Sequence, residues 1–237
     1  ANGCTMAINQ KPSEILQSMR EIHPTCMCAV PRFWEKIYAA VQERIEKSNQ
    51  MQKKLLLDAL RIGHEYNVEY KMKGLLPPVG LRMQYSIYEN TMIAFLKKQL
   101  GLERANFFPT AGAAVPPTIE DFVRSAGLMM VVGYGLTEST ATVSVDRPNM
   151  PITIGSVGRL LDGIEIKFGE NDEILLKGKT ITKGYYRKAE VTALSIDEDG
   201  WFHTGDAGYM KDGELFLTDR IKDLFKTSHG KYISPQL

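Results

Sequence analysis

The pattern of apolar residues changes near Asp146-Arg147-Pro148, and this change constrains the fold more than any other feature of the chain. Before it, amphipathic helical stretches alternate with short apolar stretches, as in an α/β unit with a mostly parallel sheet. After it, helical periodicity is lost, and apolar and polar residues alternate in short runs between Gly, Asp and Asn turns, as in residues 164–168 and 173–177. This second pattern predicts a small antiparallel β-barrel-like subdomain.

We therefore expect three parts along the chain. Residues 1–146 would form the α/β subdomain, with a helical insertion at about 47–100. Residues 147–219 would form the β-barrel-like subdomain, and residues 220–237 would begin a further segment.

Composition narrows the class of protein. Of the 237 residues, 43% are hydrophobic and 24% are charged, which is ordinary for a globular protein. A net charge of +1 gives no general case for nucleic-acid binding. No apolar run reaches the length of a membrane span, and residues 1–10 lack the basic and apolar regions of a signal peptide. The expectation is a cytoplasmic enzyme, with contact to a membrane surface left open.

The three cysteines, Cys4, Cys26 and Cys28, are an odd number without the spacing of a disulfide framework. A zinc site that joins His23 to two of them lacks a fourth ligand and the usual two-residue gap. We expect instead a short apolar strand in which Cys26, Cys28 and Val30 share a buried face.

The first stretch that suggests chemistry is residues 133–138, Gly-Tyr-Gly-Leu-Thr-Glu, which follow the apolar pair Val131-Val132. A strand that ends in a loop is where α/β proteins bind ligands. The Thr137 hydroxyl suits a phosphate oxygen, and the Glu138 carboxylate suits magnesium. The alternative is a strand end whose Thr and Glu only cap the next helix.

The second stretch is residues 200–206, Gly-Trp-Phe-His-Thr-Gly-Asp, followed by residues 219–223, Asp-Arg-Ile-Lys-Asp. The carboxylate of Asp206 can accept both hydroxyls of a ribose. The planar guanidinium of Arg220 suits a phosphate. The alternative is a surface Asp–Arg ion pair between neighbouring strands, which contributes little.

In this order and spacing, these stretches resemble the adenylate-forming (AMP-binding) enzymes, which include acyl-CoA synthetases, luciferases and the adenylation domains of peptide synthetases. Further matching segments extend the resemblance over the chain: Val30-Pro31-Arg32, Gly155-Ser156-Val157-Gly158 and Gly184-Tyr185-Tyr186. The resemblance implies the second α/β half of the large acyl-CoA synthetase domain, followed by its small antiparallel β-barrel-like subdomain.

The resemblance also implies roles for individual residues. Thr137 and Glu138 would be catalytic, with Glu138 as the magnesium ligand, and Lys222 would be the hinge of a mobile lid. The nucleotide, ATP or AMP, would contact Ala111, Gly112, Ala113, Ala114, Tyr134, Gly135, Leu136, Thr137, Asp206 and Arg220.

Within the family, the chain most resembles long-chain acyl-CoA synthetases, because of the long helical insertion and residues 223–235. The insertion has a competing interpretation as helices that only pack on the sheet. Trp34, one turn into the helix that starts at Pro31, is a candidate for the acyl tunnel, with helix-core packing as the alternative. The basic residues of the insertion have two competing interpretations, contact with anionic lipid and simple solvation by water. These residues are Lys53, Lys54, Arg61, Lys71 and Lys73.

Two features of the family are missing from these residues: the Ser/Thr/Gly-rich loop whose lysine grips the triphosphate, and the lysine of the lid. We therefore expect an interior fragment that is inactive alone. An exposed apolar edge of its sheet would allow two copies of the fragment to pair with each other. Asp206 and Glu138 are expected on one side of a shared cleft.

The implied function is part of an AMP-forming long-chain fatty acid–CoA ligase. Its small-molecule substrates would be a fatty acid, ATP and coenzyme A, with magnesium as cofactor. Acyl-AMP would form first and acyl-CoA second, releasing pyrophosphate and AMP. Two alternatives stay open: an adenylating enzyme for another acid (carrier-protein loading, aryl or amino acid), and a non-catalytic AMP-binding module.

Overall fold

The computed structural model describes residues 3–9, 11–221, 225–226 and 232–233. The chain divides into two compact units. The first comprises Ala1–Val131 with Pro148–Ile154, and the second comprises Val132–Arg147 with the residues from Gly155 onward.

The first unit is mainly helical. Its longest helix begins at Pro31, whose fixed φ and missing N–H suit the first helical position. Along this helix Phe33, Ile37 and Val41 are buried at helical spacing, while Glu35 and Lys36 face solvent. The unit contains α1 (Ile15–Ile22), α2 (Pro31–Lys47), α3 (Gln50–Gly63), α4 (Val79–Tyr88), α5 (Ala94–Leu100), α6 (Pro117–Ser125) and β1 (Phe108–Thr110).

The range predicted for a helical insertion, about 47–100, contains the helices α3, α4 and α5. Two π-helical segments, His64–Tyr70 and Glu89–Ile93, continue α3 and lead from α4 into α5. A left-handed Gly74 and the Pro77-Pro78 pair separate α3 from α4, as the sequence predicts. These helices share a core of Ala59, Ile62, Leu81, Tyr85 and Ile93.

The strand predicted around the cysteines is only partly formed, and the expected burial of its thiols is wrong. Isolated parallel bridges pair Cys26 with Phe107 and Ala29 with Thr110, so the segment runs parallel to β1 and beside it. Cys26 and Cys28 are both exposed, and Val30 is 54% exposed. Alternation along the sequence identifies residues that share a face, but the neighbouring elements decide whether that face is covered.

The second unit is mainly antiparallel. β2 (Met130–Tyr134) passes into it from the first unit, and β3 (Ser144–Val145) and β4 (Arg159–Leu160) add to β2 in antiparallel pairs. A second sheet has the order β5–β6–β7–β8, all antiparallel, and curls like half a barrel. Its strands are β5 (Ile164–Phe168), β6 (Glu173–Gly178), β7 (Phe202–Lys211) and β8 (Glu214–Arg220).

This unit also contains a short helix of seven residues, α7 (Ala189–Ser195), which was not predicted from the sequence. Two short antiparallel strands, β9 (Phe225–Lys226) and β10 (Tyr232–Ile233), complete the described elements. The predicted fold class, α/β followed by a barrel-like antiparallel sheet, is confirmed. The parallel pairing lies at the bridges beside β1, whereas β2 to β4 pair antiparallel, so the first sheet is mixed. The boundaries at 146 and 219 stay predictions.

None of the helices in the described part of the chain combines the length and the apolar character that crossing a bilayer would need.

Candidate functional site

The loop that follows β2 is fixed by close backbone packing. A Cβ at Gly135 would lie 1.4 Å from the carbonyl oxygen of Ala141, so only glycine fits there. Ser139 is fully buried, and its Oγ accepts a hydrogen bond from the Leu136 N–H (2.9 Å) and donates to the Leu136 carbonyl (3.0 Å). The short 3₁₀ turn Thr137–Ser139 between them is therefore held in one conformation.

The residues after this turn adopt backbone conformations that are unfavourable for non-glycine residues. Thr140 has a φ of 56° and Ala141 a φ of 78°, both in the left-handed region. The Thr140 hydroxyl donates to the Thr180 carbonyl at 2.7 Å, which anchors the loop to the segment after β6. Strain of this kind persists only where the surrounding structure imposes it, and it concentrates at functional sites.

The first candidate carboxylate, Glu138, is held by a tyrosine that the sequence analysis did not assign to the site. The Tyr185 hydroxyl donates to Glu138 Oε1 at 2.8 Å, and the Thr182 N–H donates to the Glu138 carbonyl at 2.7 Å. The hydrogen bond to Glu138 raises the pKa of Tyr185, with burial adding to the effect. The phenol thus stays protonated and continues to donate at neutral pH.

Tyr185 is itself fixed by α7. The Tyr185 N–H donates to the Thr192 Oγ1 at 2.9 Å. A Cβ at the preceding Gly184 would lie 2.5 Å from the Thr192 methyl carbon, so the glycine lets the two segments approach. Gly184 and Tyr185 belong to a segment matched in the family resemblance, but the sequence did not show which carboxylate the tyrosine would reach.

The second candidate carboxylate, Asp206, is 8% exposed and is held on both oxygens. The Tyr134 hydroxyl donates to Oδ2 at 2.7 Å, and the Arg220 Nε donates to Oδ1 at 3.1 Å. Burial and the neighbouring Asp206 charge raise the pKa of Tyr134 far above its usual value, so this phenol is a permanent donor.

Arg220 pairs with Asp206 across β7 and β8, which is the alternative that the sequence analysis left open. The pair is not wholly on the surface, because the side chain of Asp206 is 11% exposed while that of Arg220 is 66% exposed. Nε is engaged with Asp206, and the exposed guanidinium can still present its terminal nitrogens to a phosphate.

The turn that leads to Asp206 depends on Glu173, which the sequence analysis overlooked. Glu173 Oε1 accepts from the Gly205 N–H at 3.0 Å, and its Oε2 lies 2.9 Å from His203 Nδ1. The Thr204 hydroxyl donates to the Ile174 carbonyl and accepts from the Asp206 N–H. These contacts orient Asp206 through its backbone, and the alternating pattern of β6 alone did not distinguish Glu173 from an ordinary exposed residue.

The two carboxylates are linked by the same stretch of chain. Asp206 is bonded to Tyr134, the last residue of β2, and Glu138 follows Tyr134 by four residues. Both therefore belong to the carboxyl end of β2, where α/β proteins bind ligands. Thr137 is exposed beside Glu138, and Gly135 and Leu136 form the connecting backbone.

The remaining predicted residues belong to the first unit or fall outside the described residues. Ala111, Gly112, Ala113 and Ala114 form an exposed turn directly after β1, in the first unit. Trp34 is fully buried in α2, and its indole N–H donates to the Thr110 hydroxyl at 3.0 Å, which favours the packing alternative over a tunnel. The proposed hinge, Lys222, lies outside the described residues.

In the described part of the chain, no group of three or more His, Cys, Asp or Glu side chains converges to form a metal site made of protein ligands alone. Magnesium is commonly bound by one or two carboxylates together with substrate phosphates. Glu138 fits that mode, since Tyr185 orients its carboxylate beside the exposed Thr137.

The chain matches the family model described as AMP-binding enzyme over residues 1–186. It is 32% identical over 231 residues to the long-chain-fatty-acid–CoA ligase ACSBG1 of Mus musculus, which covers 93% of this chain and 31% of that protein. The chain thus spans less than a third of the length of this relative.

Solved structures give the same fold. The chain resembles the O-succinylbenzoate coenzyme A synthetase of Bacillus subtilis in complex with ATP and magnesium, with a TM-score of 0.51, 25% identity, and coverage of 68% of this chain and 38% of that one. It also resembles the anthranilate CoA ligase AuaEII in complex with anthranoyl-AMP, with a TM-score of 0.59, 19% identity, and coverage of 94% and 34%.

Proposed function

Because the chain belongs to the AMP-binding enzyme family, we propose that it supplies nucleotide-binding residues of an ATP-dependent long-chain fatty acid–CoA ligase. The observation that carries the proposal is the pair of tyrosine-anchored carboxylates at the end of β2. Asp206 is held by Tyr134, and Glu138 is held by Tyr185. Two carboxylates fixed in this way are suited to a ligand that brings both hydroxyls and anionic groups.

Asp206 binds the ribose in this proposal. A carboxylate offers about four lone-pair positions, and Tyr134 and Arg220 use one on each oxygen. One position therefore remains on each oxygen, which matches the two neighbouring hydroxyls of a ribose. The existing contacts support this role, because they fix the carboxylate before the nucleotide arrives.

Glu138 and Thr137 act at the phosphates. Thr137 offers a hydroxyl to a phosphate oxygen, and Glu138 holds magnesium, which supplies charge neutralisation at the phosphates when it is bound. Tyr185 keeps the Glu138 carboxylate in one orientation. Arg220 adds a positive charge to the same region from the end of β8.

The reaction requires positioning more than proton transfer. The fatty carboxylate is already ionised at neutral pH, so its oxygen attacks the α-phosphate without a general base. The phosphoanhydride bond breaks, and acyl-AMP and pyrophosphate form. The thiol of coenzyme A loses its proton to solvent, its sulfur attacks the acyl carbon, and AMP leaves with the electron pair of the broken bond. The site residues hold the nucleotide in place for both steps.

The choice of a fatty acid rests on the relatives. ACSBG1 is named as a long-chain-fatty-acid–CoA ligase, and the chain carries the helical insertion α3 to α5 that long-chain enzymes typically have. A second candidate is a ligase for an aryl acid, which is supported by the resemblance to the O-succinylbenzoate enzyme.

Pyrophosphate release by the full-length protein that carries this sequence tests the proposal. With ATP, magnesium and coenzyme A present, we expect the highest rates with long-chain fatty acids. Highest rates with aryl acids would favour the second candidate. AMP binding without pyrophosphate release from any acid would overturn both and leave a non-catalytic module. Glu138→Gln should abolish most of the pyrophosphate release while AMP binding persists.

A further inference from the structure

Hydrogen bonds join the loop that carries Glu138 to the segment after β6. The Thr182 N–H donates to the Glu138 carbonyl at 2.7 Å, and the Tyr185 hydroxyl donates to Glu138 Oε1 at 2.8 Å. A further bond runs from the Thr140 hydroxyl to the Thr180 carbonyl at 2.7 Å, and we call it the Thr140 clamp. Glu138 is thus held directly, and the clamp holds the chain two residues after it.

Thr140 makes this bond from a strained backbone. Its φ of 56° and ψ of 48° lie in the left-handed region, which is sterically unfavourable for a residue branched at Cβ. Ala141 follows in the same region, with a φ of 78°. Glycine would adopt such a conformation at little cost, but it could not make the clamp. The threonine hydroxyl therefore offsets a conformation that the threonine backbone disfavours.

The turn around Thr140 is short and closed. The Ala141 N–H donates to the Leu136 carbonyl at 3.1 Å, so the backbone reverses direction within a few residues. Glu138 and Thr140 lie on either side of Ser139, which is fully buried. Because a single buried residue separates them, a displacement of Thr140 also displaces Glu138.

The segment that receives the clamp is itself held in place. The Thr182 hydroxyl accepts from the Gly184 N–H at 3.2 Å and donates to the Gly184 carbonyl at 3.1 Å. The Tyr185 N–H donates to Thr192 Oγ1 at 2.9 Å, which ties the end of the segment to α7. The Thr180 carbonyl is therefore a fixed anchor for the loop.

We propose that Thr140 is a positioning residue for Glu138. The clamp fixes the backbone of the turn against the segment after β6, so that Tyr185 reaches the Glu138 carboxylate and holds it in one orientation. The inference rests on the proposed function, in which Glu138 holds the magnesium of the bound nucleotide. Thr140 acts through Glu138 and is not itself a catalytic residue.

The alternative is that the clamp only stabilises the loop. A bond that served stability alone would be expected on a relaxed backbone, whereas the clamp is made by a residue in an unfavourable conformation. Backbone strain of this kind concentrates at sites of function. The strain therefore favours the positioning role over the purely structural one.

Hydrogen exchange and kinetics on the full-length protein that carries this sequence test the proposal. Thr140→Val keeps the branched shape and removes the hydroxyl, so the clamp is lost and the strain stays. We expect the Thr182 amide, whose acceptor is the Glu138 carbonyl, to exchange about three- to tenfold faster, because loss of one hydrogen bond changes an equilibrium by about this factor. The kcat of pyrophosphate release should fall by a similar factor, while AMP affinity and the KM for the acid stay unchanged.

Two further variants complete the test. Thr140→Ser keeps the hydroxyl, so both the Thr182 exchange rate and kcat should stay near those of the unaltered protein. The matched control is Thr91→Val, because the Thr91 hydroxyl also donates to a backbone carbonyl, that of Ile87, at 2.7 Å, but in the first unit. It should change neither quantity.

Several outcomes would overturn the positioning role. One is an unchanged Thr182 exchange rate in Thr140→Val, and another is faster exchange with an unchanged kcat. A loss of kcat in Thr140→Ser as large as that in Thr140→Val would also overturn it, since the hydroxyl would then not be the cause. If the unaltered protein released no pyrophosphate with any acid, the proposed function would fail, and the exchange comparison alone would decide whether Thr140 holds the Glu138 turn.

Discussion

At the scale of single residues, Asp206 gives the sharpest prediction. In Asp206→Asn the remaining carbonyl oxygen can still accept from Tyr134, so the fold should persist, but the charge and one acceptor oxygen are lost. Hydrogen bonds to charged groups contribute about 1.5–3 kcal/mol. We expect AMP to bind about tenfold more weakly or worse, as measured by calorimetric titration.

The control for this prediction is Asp212→Asn. Asp212 lies in the exposed turn between β7 and β8 with a φ of 52°, a conformation that asparagine also tolerates. It should leave both AMP affinity and melting temperature unchanged. Unchanged AMP affinity in Asp206→Asn would remove Asp206 from the ribose site.

Tyr185 provides a test of positioning. Tyr185→Phe removes the hydroxyl that donates to Glu138 and leaves the ring in place. In the active full-length enzyme we expect the kcat of adenylation to fall about three- to tenfold, since a hydrogen bond to a partly exposed charge is worth about 1 kcal/mol. AMP affinity should not change. Measuring kcat at saturating ATP together with AMP affinity separates an effect on the adenylation step from an effect on nucleotide binding.

Tyr186→Phe is the neighbouring control, because Tyr186 is 84% exposed. It should alter neither quantity. A lower melting temperature in Tyr185→Phe with an unchanged kcat would contradict the positioning role and leave only a structural contact.

At the scale of secondary-structure elements, Trp34 joins α2 to β1. It is fully buried, meets the rings of Phe33 and Phe108 edge to face at 5.0 and 5.1 Å, and donates to Thr110. Truncation of a buried aromatic side chain costs about 3–5 kcal/mol. We expect Trp34→Ala to lower the free energy of unfolding by this amount in denaturant titrations.

Trp34→Phe should cost much less, because it keeps an aromatic ring and loses mainly the hydrogen bond to Thr110, which is worth about 1 kcal/mol. If Trp34 also gates an acyl tunnel, Trp34→Phe should shift the preferred acyl chain length of the full-length enzyme. Unfolding free energies near that of the unaltered chain in Trp34→Ala would contradict the packing role.

At the scale of the whole molecule, we predict that these 237 residues alone form no acyl-AMP. Neither the triphosphate-gripping lysine loop nor the lid lysine of the family occurs in the sequence, and loss of a single stabilising donor for transition-state charge typically costs about 10²–10³ in rate. Weak AMP binding through Asp206 and Arg220 is still expected. Acyl-AMP detected by mass spectrometry after incubation of the chain with fatty acid, ATP and magnesium would contradict this prediction.

The sequence by itself determined the kinds of element and the identity of the two candidate carboxylates. Helical periodicity predicted α2 and the insertion, and alternation predicted β5, β6 and β8, because these periods follow from local backbone geometry. Asp206 and Glu138 were identified as candidates because a carboxylate can bind ribose hydroxyls or magnesium. Both residues also lie in the two stretches that carry the family resemblance, residues 200–206 and 133–138.

Only the tertiary structure decided which side chains meet. Tyr185 reaches Glu138 across 47 positions of the sequence, and Tyr134 reaches Asp206 across 72. Sequence patterns carry no signal for pairs at such separations, because the packing of distant elements brings them together. For the same reason the strand with Cys26 was expected to be buried and is exposed. A local pattern defines a face, and burial depends on which other part of the chain covers it.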